Sequence, residues 1–213
     1  MISTWKETLM PTLETERLLI RPCKMDDLDA CHGLYLDIGW ADKEASDSDN
    51  RDRRRRWLEW TVRNYEELAR LKQPPYGERV AELKSSQQFA GLIGLVPLLK
   101  PFAQIACFGG LSPELATYSA EVGLFWAITP RLQRLGIAVE AASAMINYAF
   151  GTLKLGRILA GTEYDNLASI AVMRRLGMRI ERNPHPVPEW FQIHGILDAS
   201  LWSRHKGHAG KTR

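Results

Sequence analysis

The chain has 213 residues, 45% of them hydrophobic and 25% charged, which is the composition of a globular protein and excludes a largely disordered one. A chain of this length buries about 70% of its unfolded surface, so it needs no disulfide or structural metal to hold a core. Lys and Arg number 28 against 25 Asp and Glu, and a net charge of +3 excludes nucleic-acid binding unless the positive charges cluster.

Residues 14–22 (ETERLLIRP) read as a short strand stopped by Pro22. Asp26 stands where an N-cap belongs, ahead of a helix with Leu28, Cys31, Leu34 and Tyr35 on one face. Residues 41–52 read as an exposed loop, and the stretch to about Lys72 places Trp57, Trp60, Val62, Leu68 and Leu71 at helical spacings. Pro74 and Pro75 end it. The period then changes: 78–84 (ERVAELK) alternates, and 89–99 (FAGLIGLVPLL) is a second, more buried strand. Within the long excursion 100–118, QIACF is the candidate strand. SAEVGLFWAI (119–128) is a strong strand that runs through TPRLQRLG into a helix carrying Ile137, Ala141, Ala144, Met145 and Tyr148 on one side. RILAGT (157–162) is a short buried strand, and a helix after it closes at Gly177. Residues 189–202 form a last strand or bent strand pair. Strands in direct succession mixed with helices make the fold class α+β, or mixed α/β. One domain is expected over 1–204, with a disordered basic tail over 205–213.

Three widely spread cysteines (Cys23, Cys31, Cys107) read as reduced thiols of a cytoplasmic protein, and the five histidines form no metal-ligand pair, so no metal is expected. The N-terminus is too polar for a signal peptide, and no apolar run approaches the roughly 18 residues of a membrane span. Arg53–Arg56 is the obvious basic cluster. Residues 42–59, however, hold six positive and six negative side chains, so a salt-bridged, solvated helix face is the better reading and no DNA partner is expected.

The most informative stretch follows Ile128. Gly136 opens a helix whose first N–H groups lack partners and carry a partial positive charge, an arrangement suited to a phosphate. Without a Cβ, Gly136 lets the backbone approach an anion and take a positive φ, and the small Ala138 keeps the next turn open. Arg131 and Arg134 add charge at the same mouth. The loop is neither GxxxxGK[ST] nor GxGxxG, so the nucleoside-triphosphate and Rossmann fingerprints are lacking.

Gln133-Arg134-Leu135-Gly136-Ile137-Ala138 resembles the Q/R-x-x-G-x-G/A signature of the GNAT N-acetyltransferase superfamily. In the same order, Glu16-Arg17-Leu18, Leu92-Ile93-Gly94, Ala120-Glu121-Val122-Gly123, Glu140-Ala141, Asn166-Leu167-Ala168-Ser169 and Leu176-Gly177-Met178 resemble its RimJ/RimL branch. The resemblance covers roughly residues 14–202 and implies the GNAT fold, a mostly antiparallel sheet with helices on both faces. It implies acetyl-CoA as co-substrate and direct transfer of the acetyl group to a primary amine. A protein N-terminus is the leading acceptor and a small-molecule amine the alternative, with a non-catalytic acyl-CoA-binding or ribosome-associated module beside them. Homodimerisation is left open.

The resemblance further implies that Arg134, Leu135, Gly136, Ile137, Ala138 and Val139 hold the diphosphate. Trp126, Ala127 and Ile128 offer backbone bonds to pantetheine where the sheet splays, and Asn166 bonds the same arm. Asn166 is also a natural N-cap for the helix that begins at 167. Glu121 is the candidate base, sharing a strand face with Gly123, and the alternative is an edge carboxylate in a salt bridge. Ser169 is the candidate acid toward the leaving thiolate, against a helix serine bonded to a carbonyl one turn back. Tyr164 is a rival acid better read as packing.

Overall fold

Residues 14–22 do not run as one strand in the computed structural model, which describes residues 10–202. Thr15 turns the chain: its N–H donates to the Leu18 carbonyl (3.0 Å) and its Oγ1 accepts from the Leu18 N–H (2.9 Å). A hairpin results, β1 (Leu13–Glu14) with β2 (Leu18–Pro22). The tail expected over 205–213 lies outside the described residues.

Helix α1 spans Leu28–Asp37, but Asp26 does not cap it. A 3₁₀ turn at Met25–Asp27 moves the register by one, and the Asp27 carboxylate turns back to accept from the Lys24 N–H at 2.7 Å. The same carboxylate takes both terminal nitrogens of Arg21 at 2.8 and 2.9 Å, and Arg21 also reaches Glu82 at 3.1 Å. The hydrogen bonds that Arg21 donates to Asp27, against the opposing effect of burial, hold the Arg21 pKa above its ordinary value. Removing one member of such a buried pair strands the other, at a cost of about 3–5 kcal/mol.

Helix α2 spans Asp47–Arg70 and starts well inside the segment expected to be loop. Ser46 Oγ accepts from the Asp49 N–H at 3.1 Å, and Asp47 and Asp49 place negative charge on the first turn, where the helix dipole favours it. Leu58, Thr61, Tyr65 and Leu68 recur at helical spacing and are buried. Leu58 and Tyr65 join a core cluster with Cys23, Cys31 and Leu34, with Val80 of β3 (Gly77–Leu83) and Leu92 of β4 (Phe89–Lys100), and with Ala127. Both cysteine thiols are buried, and desolvation pushes that of Cys23 up to about 12, so neither is a nucleophile.

QIACF forms no strand. Residues Phe102–Gln104 and Ala106–Phe108 make two 3₁₀ turns, which bury Phe102 and Ile105 against Leu159, Phe191 and Ile196. Pro101, just before, has no N–H to give to a ladder. Then come β5 (Ser119–Ile128), α3 (Ile137–Asn147) continued by a π turn at Tyr148–Thr152, β6 (Arg157–Thr162) and α4 (Leu167–Arg175). β7 (Arg179–Arg182), too short and polar to stand out in the sequence, pairs antiparallel with β8 (Ile193–Asp198), and residues 199–202 turn helical.

The eight strands follow the order β1-β2-β3-β4-β5-β6-β8-β7. Antiparallel pairing dominates, and β5 with β6 is a parallel pair with Gly123 opposite Leu159. The described residues form two compact units. One holds the chain up to Leu95 with Phe125–Met145; the other holds Val96–Leu124 and the chain from Ile146 on.

Candidate active site

The end of β5 is fixed by the absence of a side chain opposite it. A Cβ on Gly91 would fall 2.1 Å from the Ala127 carbonyl oxygen, so only glycine lets the two backbones meet there. The Thr129 N–H then donates to the Ala90 carbonyl at 3.0 Å. Ala127 and Ile128 are buried and Trp126 half-buried at this strand end.

Beyond it, Pro130–Leu132 makes a 3₁₀ turn, and Gln133 Nε2 donates back to the Ile128 carbonyl at 3.0 Å. Arg134 (φ +61°) and Gly136 (φ +79°) are both left-handed. The Glu140 N–H donates to the Gly136 carbonyl at 3.0 Å and begins α3. Among the described residues, no acceptor meets the main-chain N–H of Arg134, Leu135, Gly136, Ile137, Ala138 or Val139. Six successive donors without acceptors, at the positive end of a helix and on alternating backbone geometry, form a concavity for an anion. Gly136 also leaves room: a Cβ there would meet only Arg17 Nη2, at 3.4 Å.

Arg17 braces the loop from outside, and the Glu-Arg-Leu motif gave no hint of how. Its Nη1 donates to the Leu135 carbonyl (2.9 Å) and its Nε to Glu140 Oε2 (2.6 Å), while its own N–H donates to Glu140 Oε1 (2.9 Å). Thr15 Oγ1 adds a donor to Glu140 at 2.5 Å. Burial raises the Glu140 pKa, but the bonds from Thr15 and Arg17 outweigh it and hold the carboxyl below its ordinary range.

Glu121, Asn166 and Ser169 belong to the second unit. The Glu121 carboxylate is mostly buried and lies 3.7 Å from Arg157, which is drawn closer to Asp198 (2.9 Å). Desolvation raises the Glu121 pKa, Arg157 opposes it, and Asp198 adds to it; the net direction is up. The ion pair of the edge-carboxylate reading is present, and desolvation outweighs it, so the carboxyl stays above its ordinary range. Asn166 caps α4, its Oδ1 accepting from the Ser169 N–H at 3.0 Å, and so brings the two residues together. The Ser169 hydroxyl makes no hydrogen bond among the described residues, so the bond to a carbonyl one turn back is not made. Tyr164 is committed: its hydroxyl donates to the Asn183 carbonyl at 2.8 Å and its ring carries Arg182.

On α2 the charged face is partly as expected. Arg53 pairs with Asp42 (2.6 Å), Arg55 with Asp52 and Glu59 (3.2 Å each), and Arg51 with Asp29. Arg54 does not join them and lies on the ring of Tyr35. The tryptophans are less buried than a core role requires: Trp40, Trp60 and Trp190 are exposed, whereas Trp202 is buried and donates to Asn147.

The model of the acetyltransferase (GNAT) domain matches residues 17–179. The chain belongs to the GNAT acetyltransferase family. Its resemblance to "Uncharacterized N-acetyltransferase YnaD" of Bacillus subtilis (strain 168) is 39% identity over 64 residues. That match takes in 30% of this chain and 36% of the relative's length. An acetyltransferase of Agrobacterium tumefaciens str. C58 shares the fold with a TM-score of 0.61 and 22% identity, covering 88% of this chain and 94% of that one. RimL, a ribosomal L7/L12 alpha-N-protein acetyltransferase solved with coenzyme A, shares it with a TM-score of 0.55 and 15% identity over 87% and 96% of the two chains. The GNAT fold expected from the motif order is the fold observed.

Proposed function

We propose that this protein transfers an acetyl group from acetyl-CoA to a primary amine, with the α-amino group of a protein chain as the leading acceptor. The observation that carries the reading is the run of free main-chain donors at 134–139, which suits the diphosphate of coenzyme A. Trp126–Ile128 supply strand backbone for the pantetheine arm, and Asn166 supplies an amide. Bound acetyl-CoA supplies the thioester carbon that the amine attacks.

The residues' tasks follow from protons. An α-amine of pKa about 7.7–8 is roughly one-sixth neutral at pH 7, while a lysine amine at about 10.4 is neutral less than one part in a thousand. Glu121, which desolvation makes more basic than an ordinary carboxylate, accepts the proton that the amine gives up as its nitrogen bonds to carbon. The Ser169 hydroxyl, with no competing bond among the described residues, donates to the sulfur as the carbon–sulfur bond breaks. An α-amine needs only this modest base.

The experiment is thiol release from acetyl-CoA against a panel of peptides with free N-termini, the same peptides with blocked N-termini and one lysine, and small amines, with products located by mass spectrometry. Acetylation confined to free α-amines is the expected result. Transfer only to small amines would replace the acceptor, and no release with any amine would leave a binding module in place of an enzyme.

A further inference from the structure

Helices α1 and α2 and the Trp40–Asp42 loop between them enclose a cavity of about 110 Å³, lined by His32, Tyr35, Trp40, Asp42, Asn50 and Arg54 among others. A space of this size holds several waters or one small polar group. Almost every polar group in its wall is already engaged. His32 Nε2 meets Asp47 at 3.0 Å. Asn50 accepts from the Asp42 N–H and donates to the Asp42 carbonyl, each at 2.9 Å. Arg53, which also lines the cavity, neutralises the Asp42 carboxylate at 2.6 Å.

Arg54 is the least satisfied of them: it bonds the Tyr35 side chain but no carboxylate among the described residues. Its guanidinium carbon lies 3.1 Å from the Tyr35 ring centroid and 4.9 Å from that of Trp57. Among the described residues no carboxylate is within salt-bridge distance, and its Nε is buried without an acceptor. Glu78 acts on it only through space and is itself bonded by Trp57. A half-buried cation without a counter-ion is costly, and aromatic faces offset only part of that cost. What the wall lacks is one negative charge, and the planar guanidinium fork matches a carboxylate. Within the same unit, the Trp40 ring lies 6.0 Å from that of Phe125 on β5.

We infer that this cavity binds a carboxylate, with Arg54 as the residue that selects the charge. Anion binding at Arg54 is measured without turnover, so the inference stands or falls apart from the acetyl-transfer reading. The carboxylate has two sources, the α-carboxyl of a free amino acid or an acidic side chain near a peptide N-terminus.

The test is titration followed by intrinsic tryptophan fluorescence, with alanine against alaninamide as one arm and the amidated peptides Ser-Asp and Ser-Asn as the other. In the wild type, the carboxylate member of one arm binds at least about tenfold tighter than its neutral partner, and that arm names the source. In Arg54→Gln the preference disappears. Equal binding of both members in both arms, or a preference that survives Arg54→Gln, overturns the inference. Should Arg54→Gln fail to fold by circular dichroism, Arg54→Lys, which keeps the charge and loses the fork, must narrow the preference; an unchanged one overturns it equally. Thiol release is recorded in parallel. A carboxylate preference without release would keep the subsite and remove acetyl transfer, whereas release without the preference would do the reverse.

Discussion

The stretch from β5 through the loop to α3 and the pair α1–α2 both present positive potential, but they build it differently. In the first, the positive groups are main-chain N–H donors, placed by two left-handed residues and the start of a helix. In the second, the positive group is one guanidinium held between aromatic rings, one of four consecutive arginines of which others are spent in surface pairs. Backbone donors follow from local sequence. A side chain's freedom from partners is a property of everything around it.

Five substitutions separate the two regions. The largest effect belongs to Glu121→Gln. Losing a general base costs about 10²–10⁴-fold in rate, and the lower end is expected here because an α-amine is already partly neutral. Arg157→Gln sharpens the same point: it removes the charge that opposes desolvation, so the Glu121 pKa rises further. Activity depends on the ionised carboxylate and increases as pH rises through that pKa, so kcat/KM falls most in weakly acidic buffer and recovers in alkaline buffer. A profile that does not move would remove Glu121 from the base role.

Gly136→Val comes next. Its left-handed φ costs a β-branched residue about 1–3 kcal/mol, and the added atoms crowd Arg17, so coenzyme A affinity measured by calorimetry should drop roughly tenfold to a hundredfold. Arg54→Gln should leave that affinity untouched; a joint loss would mean that the two regions are not independent. The smallest effect is Arg53→Gln, which breaks an exposed pair with Asp42 and should change stability by less than about 0.5 kcal/mol in urea melts.

His194 tests the second unit in another way. Buried against Phe102 and Phe191, its ring is held neutral, with burial pushing its pKa from 6.5 down to about 3. The unfolded chain therefore binds the extra proton first, and stability falls as pH drops from about 6.5 toward 3. His194→Phe should flatten that part of the stability profile relative to wild type.

Much of this molecule was readable before folding, and the reasons are local. Alternation over 78–84, the apolar run 119–128 and a glycine between a strand and an apolar helix each state their own geometry, whereas the helix to about Lys72 was legible but not its buried face: Trp60 and Leu71 are exposed, and Leu58, Thr61 and Tyr65 are buried with Leu68. Asn166 announced a cap, and it caps. Readings failed where a neighbour in space decided the outcome. Asp27 rather than Asp26 turns inward because Arg21 and Lys24 wait for it, and QIACF curls because Phe102 and Ile105 find Phe191 and Ile196. β7 exists because β8 offers it a ladder. The order of motifs along the chain was enough for the family and the fold, since periodic burial needs only near neighbours. The Arg17–Glu140 brace, the raised Glu121 carboxyl and the Arg54 guanidinium without a carboxylate partner required the tertiary structure, because burial and the absence of a counter-charge are set by residues distant in the chain.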